Sequence, residues 1–186
     1  HLNPAVSIGF AVARRFPWRY VLPYSVAQLF GGIAAAALAS LLFGPGHGAN
    51  TPAAGPLWRA AAVEGALTFF LMLVIISVAT DKRAPGAATG LAIGLTVVFD
   101  VLIGGAVTGG SMNPARSLGP ALFAGGAALA HFWVYVVGPI LGAVIAARLY
   151  EFLRGEERYA QGAPNDLYEA LAEIEREGEL TDNAAL

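Results

Sequence analysis

The sequence predicts an all-α membrane protein, built as an inverted repeat of transmembrane helices with two re-entrant half-helices. Three observations predict it. Hydrophobic residues make up 56% of the 186 and charged residues only 13%, against roughly 25% charged in an average soluble chain. Four apolar stretches are long enough to cross a bilayer, which takes about 20 residues. A short motif occurs twice, 110 residues apart, and each copy opens an apolar segment too short to cross.

The spans come first. Residues 20–43 carry no charge, 60–80 carry only Glu64, and 84–108 carry only Asp100. Residues 117–147 carry none and are too long for one crossing, so Gly125 and Gly126 are expected to divide them into a short piece and a full span. Helices are required, because lipid offers the backbone no other partner. Mean hydropathy is +0.61. With 23 glycines the chain also suits close helix–helix approach in lipid. Trp18, Trp58 and Trp133 fall near span ends, where aromatic belts form.

If the spans alternate, Arg14, Arg15, Arg19, Lys82, Arg83, Arg148, Arg154 and Arg158 share one side and only Arg59 lies opposite. The excess of positive charge marks the cytoplasmic side. Residues 44–57, rich in Gly and Pro, then form an external loop, which holds His47. The first 153 residues hold eight bases against four acids, and residues 154–186 hold nine acids against three Arg. The reading is therefore a membrane domain over 1–153 and an acidic cytoplasmic tail over 154–186. In the tail Leu167, Ala170, Leu171 and Ile174 recur at helical spacing over 166–177, as in an acidic amphipathic helix.

Leu2-Asn3-Pro4-Ala5-Val6-Ser7-Ile8-Gly9 matches Met112-Asn113-Pro114-Ala115-Arg116-Ser117-Leu118-Gly119 at five positions of eight. The following span repeats as well, with Tyr24, Gly31 and Ala35 answering to Tyr135, Gly142 and Ala146. Two spans precede the second copy and one follows it. Symmetry therefore predicts two further spans before His1, which stands where Met is expected. Halves of three spans each run oppositely through the membrane. Asn is a strong N-cap and Pro suits the first helical position. Half-helices from Pro4 to Ala13 and from Pro114 to about Ala124 would enter from opposite faces and meet at the midplane, with positive dipole ends facing each other. Irregular backbone at that depth is tolerable only around a water-filled path.

These signatures, with Ser111-Met112-Asn113-Pro114-Ala115-Arg116-Ser117-Leu118-Gly119-Pro120-Ala121 as the longer one, resemble the aquaporin or major intrinsic protein family. The resemblance implies a homotetramer with one pore per subunit, in the plasma (inner) membrane, passively conducting water and small neutral solutes. Asn3 and Asn113 would donate to a passing water, and Arg116 would be the outer-constriction arginine. Val101, twelve residues before Asn113, and Gly110, three before it, would complete that ring with one residue from a preceding span. Water-selective members carry His at the first position. Val and Gly leave a wider, less polar ring. Glycerol facilitators carry Asp where this chain has Ser117, and a basic residue where it has Ala121.

The Gly-Gly-Ser-Met and Tyr135-Val136 patterns look like the nodulin-like intrinsic proteins and their bacterial relatives. That branch implies glycerol, urea or metalloid hydroxides such as boric or arsenous acid. A strict water channel and a non-conducting scaffold or adhesion protein remain the alternatives. Glu64 would sit behind the half-helices and accept from loop backbone. Asp100 points roughly 100° from Val101 on the same helix, toward a neighbour or the external vestibule. His131 reads as a helix-packing residue. No catalytic constellation is present, since Ser117 has no nearby His base. No cysteine is present, which removes thiolate metal sites. No cofactor, metal or nucleic-acid partner is expected beside the bilayer and its solutes.

Overall fold

The computed structural model describes residues 1–154 other than 82, 83 and 85. The amphipathic helix expected over 166–177, with the rest of the acidic tail, lies outside the described residues, as do Lys82 and Arg83. The described residues form seven α-helices and a 3-10 turn, with no strand among them. They are α1 (Pro4–Val12), α2 (Trp18–Phe43), α3 (Leu57–Ala79), α4 (Thr89–Thr108, preceded by the 3-10 turn Gly86–Ala88), α5 (Pro114–Ala124), α6 (Gly126–Ala130) and α7 (Val134–Arg154).

Among the described residues four segments have the length and apolarity to cross a membrane: Trp18–Phe43, Leu57–Ala79, Gly86–Thr108 and Gly126–Arg154. At 1.5 Å per residue α2 is about 39 Å long, whereas α1 and α5 reach only about 14 and 16 Å, each about half the bilayer core. Pro17 and Pro56 lead into α2 and α3 in extended conformation with no side-chain cap. Pro23, Pro120 and Pro139 lie inside helices, which membrane helices tolerate when neighbours satisfy the freed backbone groups.

The stretch from 117 to 147 divides at Gly125 and Gly126, as expected; their φ values of 64° and 48° are left-handed. The span that follows, Gly126–Arg154, is itself interrupted. The short α6 is followed by a turn over 131–133, and α7 starts at Val134 and runs on to Arg154. His131 therefore stands in that turn rather than within a packed helix. His131 is the one polar residue of the turn and stands among apolar neighbours, so hydropathy averaged over a span does not reveal it.

Small residues set the helix crossings. A Cβ at Gly138 would meet the Ala61 carbonyl oxygen, and one at Gly142 would meet that of Gly65, so α7 and α3 pack backbone to backbone. Likewise a Cβ at Gly32 would meet the Ala115 carbonyl, and one at Gly119 that of Gly32, which brings α5 onto α2. The half-helix α1 packs mainly on α7. Val6 and Phe10 of α1, Met72 and Ile76 of α3 and Ala143 and Ala147 of α7 form the main core. Leu22, Phe30 and Leu41 of α2 and Leu91, Leu95 and Leu102 of α4 face outward and exposed, as lipid-facing side chains do. At the end where α1 and α7 finish, Arg15 pairs with Glu151 at 2.7 Å and Arg154 with Asp81 at 3.4 Å.

Candidate functional site

Both motifs fold the same way for the same local reason. Asn3 and Asn113 adopt nearly identical extended conformations (φ −149°, ψ 116° and φ −151°, ψ 110°), and each is followed by Pro at the first helical position. Each side-chain Oδ1 accepts from the helix it caps: Asn3 from the Ala5 N–H at 3.0 Å, Asn113 from those of Ala115 at 2.9 Å and Arg116 at 3.3 Å. Donors otherwise unpaired at a helix start are thereby satisfied. Pro4, Ala5, Pro114 and Ala115 are buried.

The amide groups then join the two motifs. Asn3 Nδ2 donates to the Met112 carbonyl at 2.8 Å, and Asn113 Nδ2 donates to the Leu2 carbonyl at 2.9 Å. Leu2 and Met112 are equivalent positions of the repeat, so the exchange is reciprocal. It brings the N-termini of α1 and α5 together, and neither helix has an acid in its first turn. Positive dipole ends therefore converge with no acid in either first turn. One N–H of each amide is committed to a carbonyl and one remains.

Glu64, fully buried in α3, supports the second motif from behind. Its Oε1 accepts from the Ser111 N–H at 2.9 Å and its Oε2 from the Met112 N–H at 2.7 Å. Met112 has φ 54°, a left-handed conformation that is uncommon and costly for a side chain of this kind. The carboxylate holds the strained residue whose carbonyl Asn3 uses.

Arg116 lies one turn into α5 and is exposed. Its NH1 donates to the Gly48 carbonyl at 2.7 Å and to Asn50 Oδ1, both in the loop between α2 and α3. Asn50 Oδ1 also accepts from Ser117 Oγ at 3.2 Å. The sequence offered no acid for Arg116, and the structure supplies neutral oxygens instead. Val101 and Gly110 come together at the end of α4: a Cβ at Gly110 would lie 3.3 Å from Val101 Cα, and Gly110 has φ 57°. Leu2, Gln28, Gly31, Gly48, Asn113 and Arg116 are among the residues lining one groove along α2. Asp100 is not drawn into this group. It lies on the buried stripe of α4 with Gly104 and Thr108, and neither carboxylate oxygen has a hydrogen-bond partner among the described residues.

Two participants escaped the sequence reading. Asn50 sits in a Gly- and Pro-rich loop where an isolated polar residue carries no signal. Tyr135, read as a branch marker, donates from its hydroxyl to the Thr108 carbonyl at 2.7 Å and so ties α7 to the end of α4.

Residues 1–150 match the family described as major intrinsic protein. The chain is 48% identical to aquaporin NIP1-1 of Oryza sativa subsp. japonica over 83% of its own length and 54% of that protein's. It is 48% identical to nodulin-26 of Glycine max, over 83% and 57%. The chain thus spans about half the length of the curated relatives it matches. Among solved structures it resembles the aquaglyceroporin from Plasmodium falciparum, with a TM-score of 0.71 and 26% identity, covering 81% of this chain and 71% of that one.

Proposed function

The chain belongs to the major intrinsic protein family, and from that premise we propose that it is part of a passive pore for water and small neutral solutes. It is a multi-pass membrane protein of a channel family, not of an enzyme family. The observation that carries the proposal is the reciprocal bonding of Asn3 to Met112 and Asn113 to Leu2, which turns the free N–H of each asparagine and two positive helix ends toward one place. A water passing there gives its oxygen to both amides, so its hydrogens point away along the path. Cations meet the dipole field, and neutral molecules do not.

Arg116 forms the outer constriction. Its NH1 is held by the loop, while Nε–H and NH2 remain as donors for a solute. Val101 and Gly110 form the opposite wall and leave it wide, which favours glycerol, urea or a metalloid hydroxide such as boric or arsenous acid over strict water selectivity. Glu64 fixes the backbone from which α5 starts. The assembled protein is a homotetramer in the plasma (inner) membrane with the acidic C-terminus cytoplasmic. The arginine-rich end that carries Arg14, Arg15 and Arg154 supports that orientation.

The test is stopped-flow light scattering on liposomes holding the full-length protein, with Asn113→Ala and Arg116→Ala beside it. Shrinkage followed by fast reswelling in glycerol or boric acid supports the wide pore. Water flux without solute flux indicates a strict water channel, and no flux at all indicates a scaffold.

A further inference from the structure

We propose that Asn50, in the loop between α2 and α3, is a positioning residue for selectivity, acting through Arg116; the proposal rests on the pore reading above. Both NH1 donors of Arg116 are used by this loop, one on the Gly48 carbonyl and one on Asn50 Oδ1. A guanidinium is planar, so fixing both NH1 protons fixes the plane and therefore the direction of NH2 and Nε–H. An arginine side chain is otherwise free to take many rotamers. The side chain that removes that freedom belongs to the loop and not to the half-helix.

Asn50 is itself anchored. It is buried, with 4% exposure, although it belongs to a loop. Its Oδ1 takes a second bond from Ser117 Oγ at 3.2 Å. Its Nδ2 lies where a Cβ of Gly109 would be, so the absence of a side chain at Gly109 is what admits the amide. The loop is tied to α4 by the Ala53 N–H on the Val107 carbonyl at 2.8 Å, and Gly46 packs on Ala124 at the end of α5. The carbonyl of Gly48 cannot hold the guanidinium plane alone, because a single acceptor leaves rotation about its own axis. Asn50 supplies the second point.

Loss of that acceptor frees the guanidinium to sweep the aperture, which hinders a solute more than water. Asn50→Leu keeps the volume without the acceptor, and Asn50→Ala removes both. Asn50→Asp keeps the acceptor and adds a negative charge beside Arg116. The assay compares glycerol and water permeability in liposomes, normalised to reconstituted protein, with proton leak followed by an enclosed pH dye. One hydrogen bond corresponds to a drop of about threefold to tenfold in the glycerol-to-water ratio for Asn50→Leu and Asn50→Ala. Asn50→Asp holds the wild-type ratio while its proton leak rises. The proposal is overturned if either acceptor-free variant keeps the wild-type ratio, or if Asn50→Asp falls with them, since the loop then needs the asparagine for packing alone. A wild-type protein with no flux of any kind defeats the pore reading itself, whatever the variants do.

Discussion

Glu64→Gln tests how the second motif is held. The substitution keeps size and one acceptor oxygen but turns an amide NH2 toward one of the two N–H groups now facing the carboxylate. Those donors, Ser111 and Met112, lie at 2.9 and 2.7 Å, and Glu64 is fully buried, so water does not replace the lost bond. A hydrogen bond to a charged group contributes about 1.5–3 kcal/mol, and a buried unpaired donor costs about 1–3 kcal/mol. Glu64→Gln should therefore destabilise by about 2–4 kcal/mol, and Glu64→Ala, which strands both donors, by about 3–6 kcal/mol. The effect does not stop at α3. Met112 holds a left-handed φ of 54°, and relaxing it moves the carbonyl that Asn3 uses. Thermal unfolding in detergent is the assay. At about 2–4 °C per kcal/mol for a chain of this size, Glu64→Gln should lower the midpoint by about 4–16 °C. Water permeability should fall with it. A midpoint within about 2 °C of wild type would mean that the loop holds itself, and that the carboxylate is incidental to the motif.

Three further outcomes are expected. Gly119→Ala puts a methyl onto the Gly32 carbonyl and against Ala36 Cβ; it should part α5 from α2 at a cost of about 1–3 kcal/mol, read as a lower unfolding midpoint. Tyr135→Phe strands the Thr108 carbonyl, now 2.7 Å from the hydroxyl. It should cost about 1 kcal/mol and leave the glycerol-to-water ratio unchanged, because it touches no residue of the proposed constriction. Gly110→Ala places a Cβ 3.3 Å from Val101 Cα at a φ of 57°. Glycerol flux in liposomes should drop more than water flux as the wall moves inward.

The spans and half-helices were legible because each rests on local information. Apolar length predicts a crossing. Asn followed by Pro predicts a helix start, and a break within about 11 residues predicts a segment that turns back. The expected half-helix from Pro4 to Ala13 is observed as Pro4–Val12. What was not legible depends on contacts between distant parts of the chain. The oxygens that receive Arg116 come from a loop more than sixty residues earlier, and that loop has no periodicity to read. The turn before α7 passes through His131, Phe132 and Trp133, one polar residue among apolar neighbours, which hydropathy averaged over a span does not resolve. Asp100 shows the opposite failure. An acid in an apolar span invites a partner, yet its oxygens find none among the described residues.

The repeat also explains why the two motifs stand or fall together. The half-helix α5 packs mainly on α2, and α1 packs mainly on α7, so each is clasped by the closing span of the opposite half. The amide exchange repeats that crossing at atomic scale, since each asparagine bonds the backbone of the other copy. Bringing two positive helix ends together is unfavourable, on the scale of the about 0.3–1 kcal/mol by which one charged side chain interacts with a helix end. Two side-chain-to-carbonyl bonds return about 0.5–1.5 kcal/mol each, which offsets that repulsion with little to spare. Packing from the opposite half must hold the rest, and the backbone-to-backbone approach at Gly32 and Gly119 allows it to. The arrangement thus keeps an electric field that no acid in either first turn neutralises. A neutral molecule crosses such a field at little cost, whereas a cation must meet it after leaving its hydration shell.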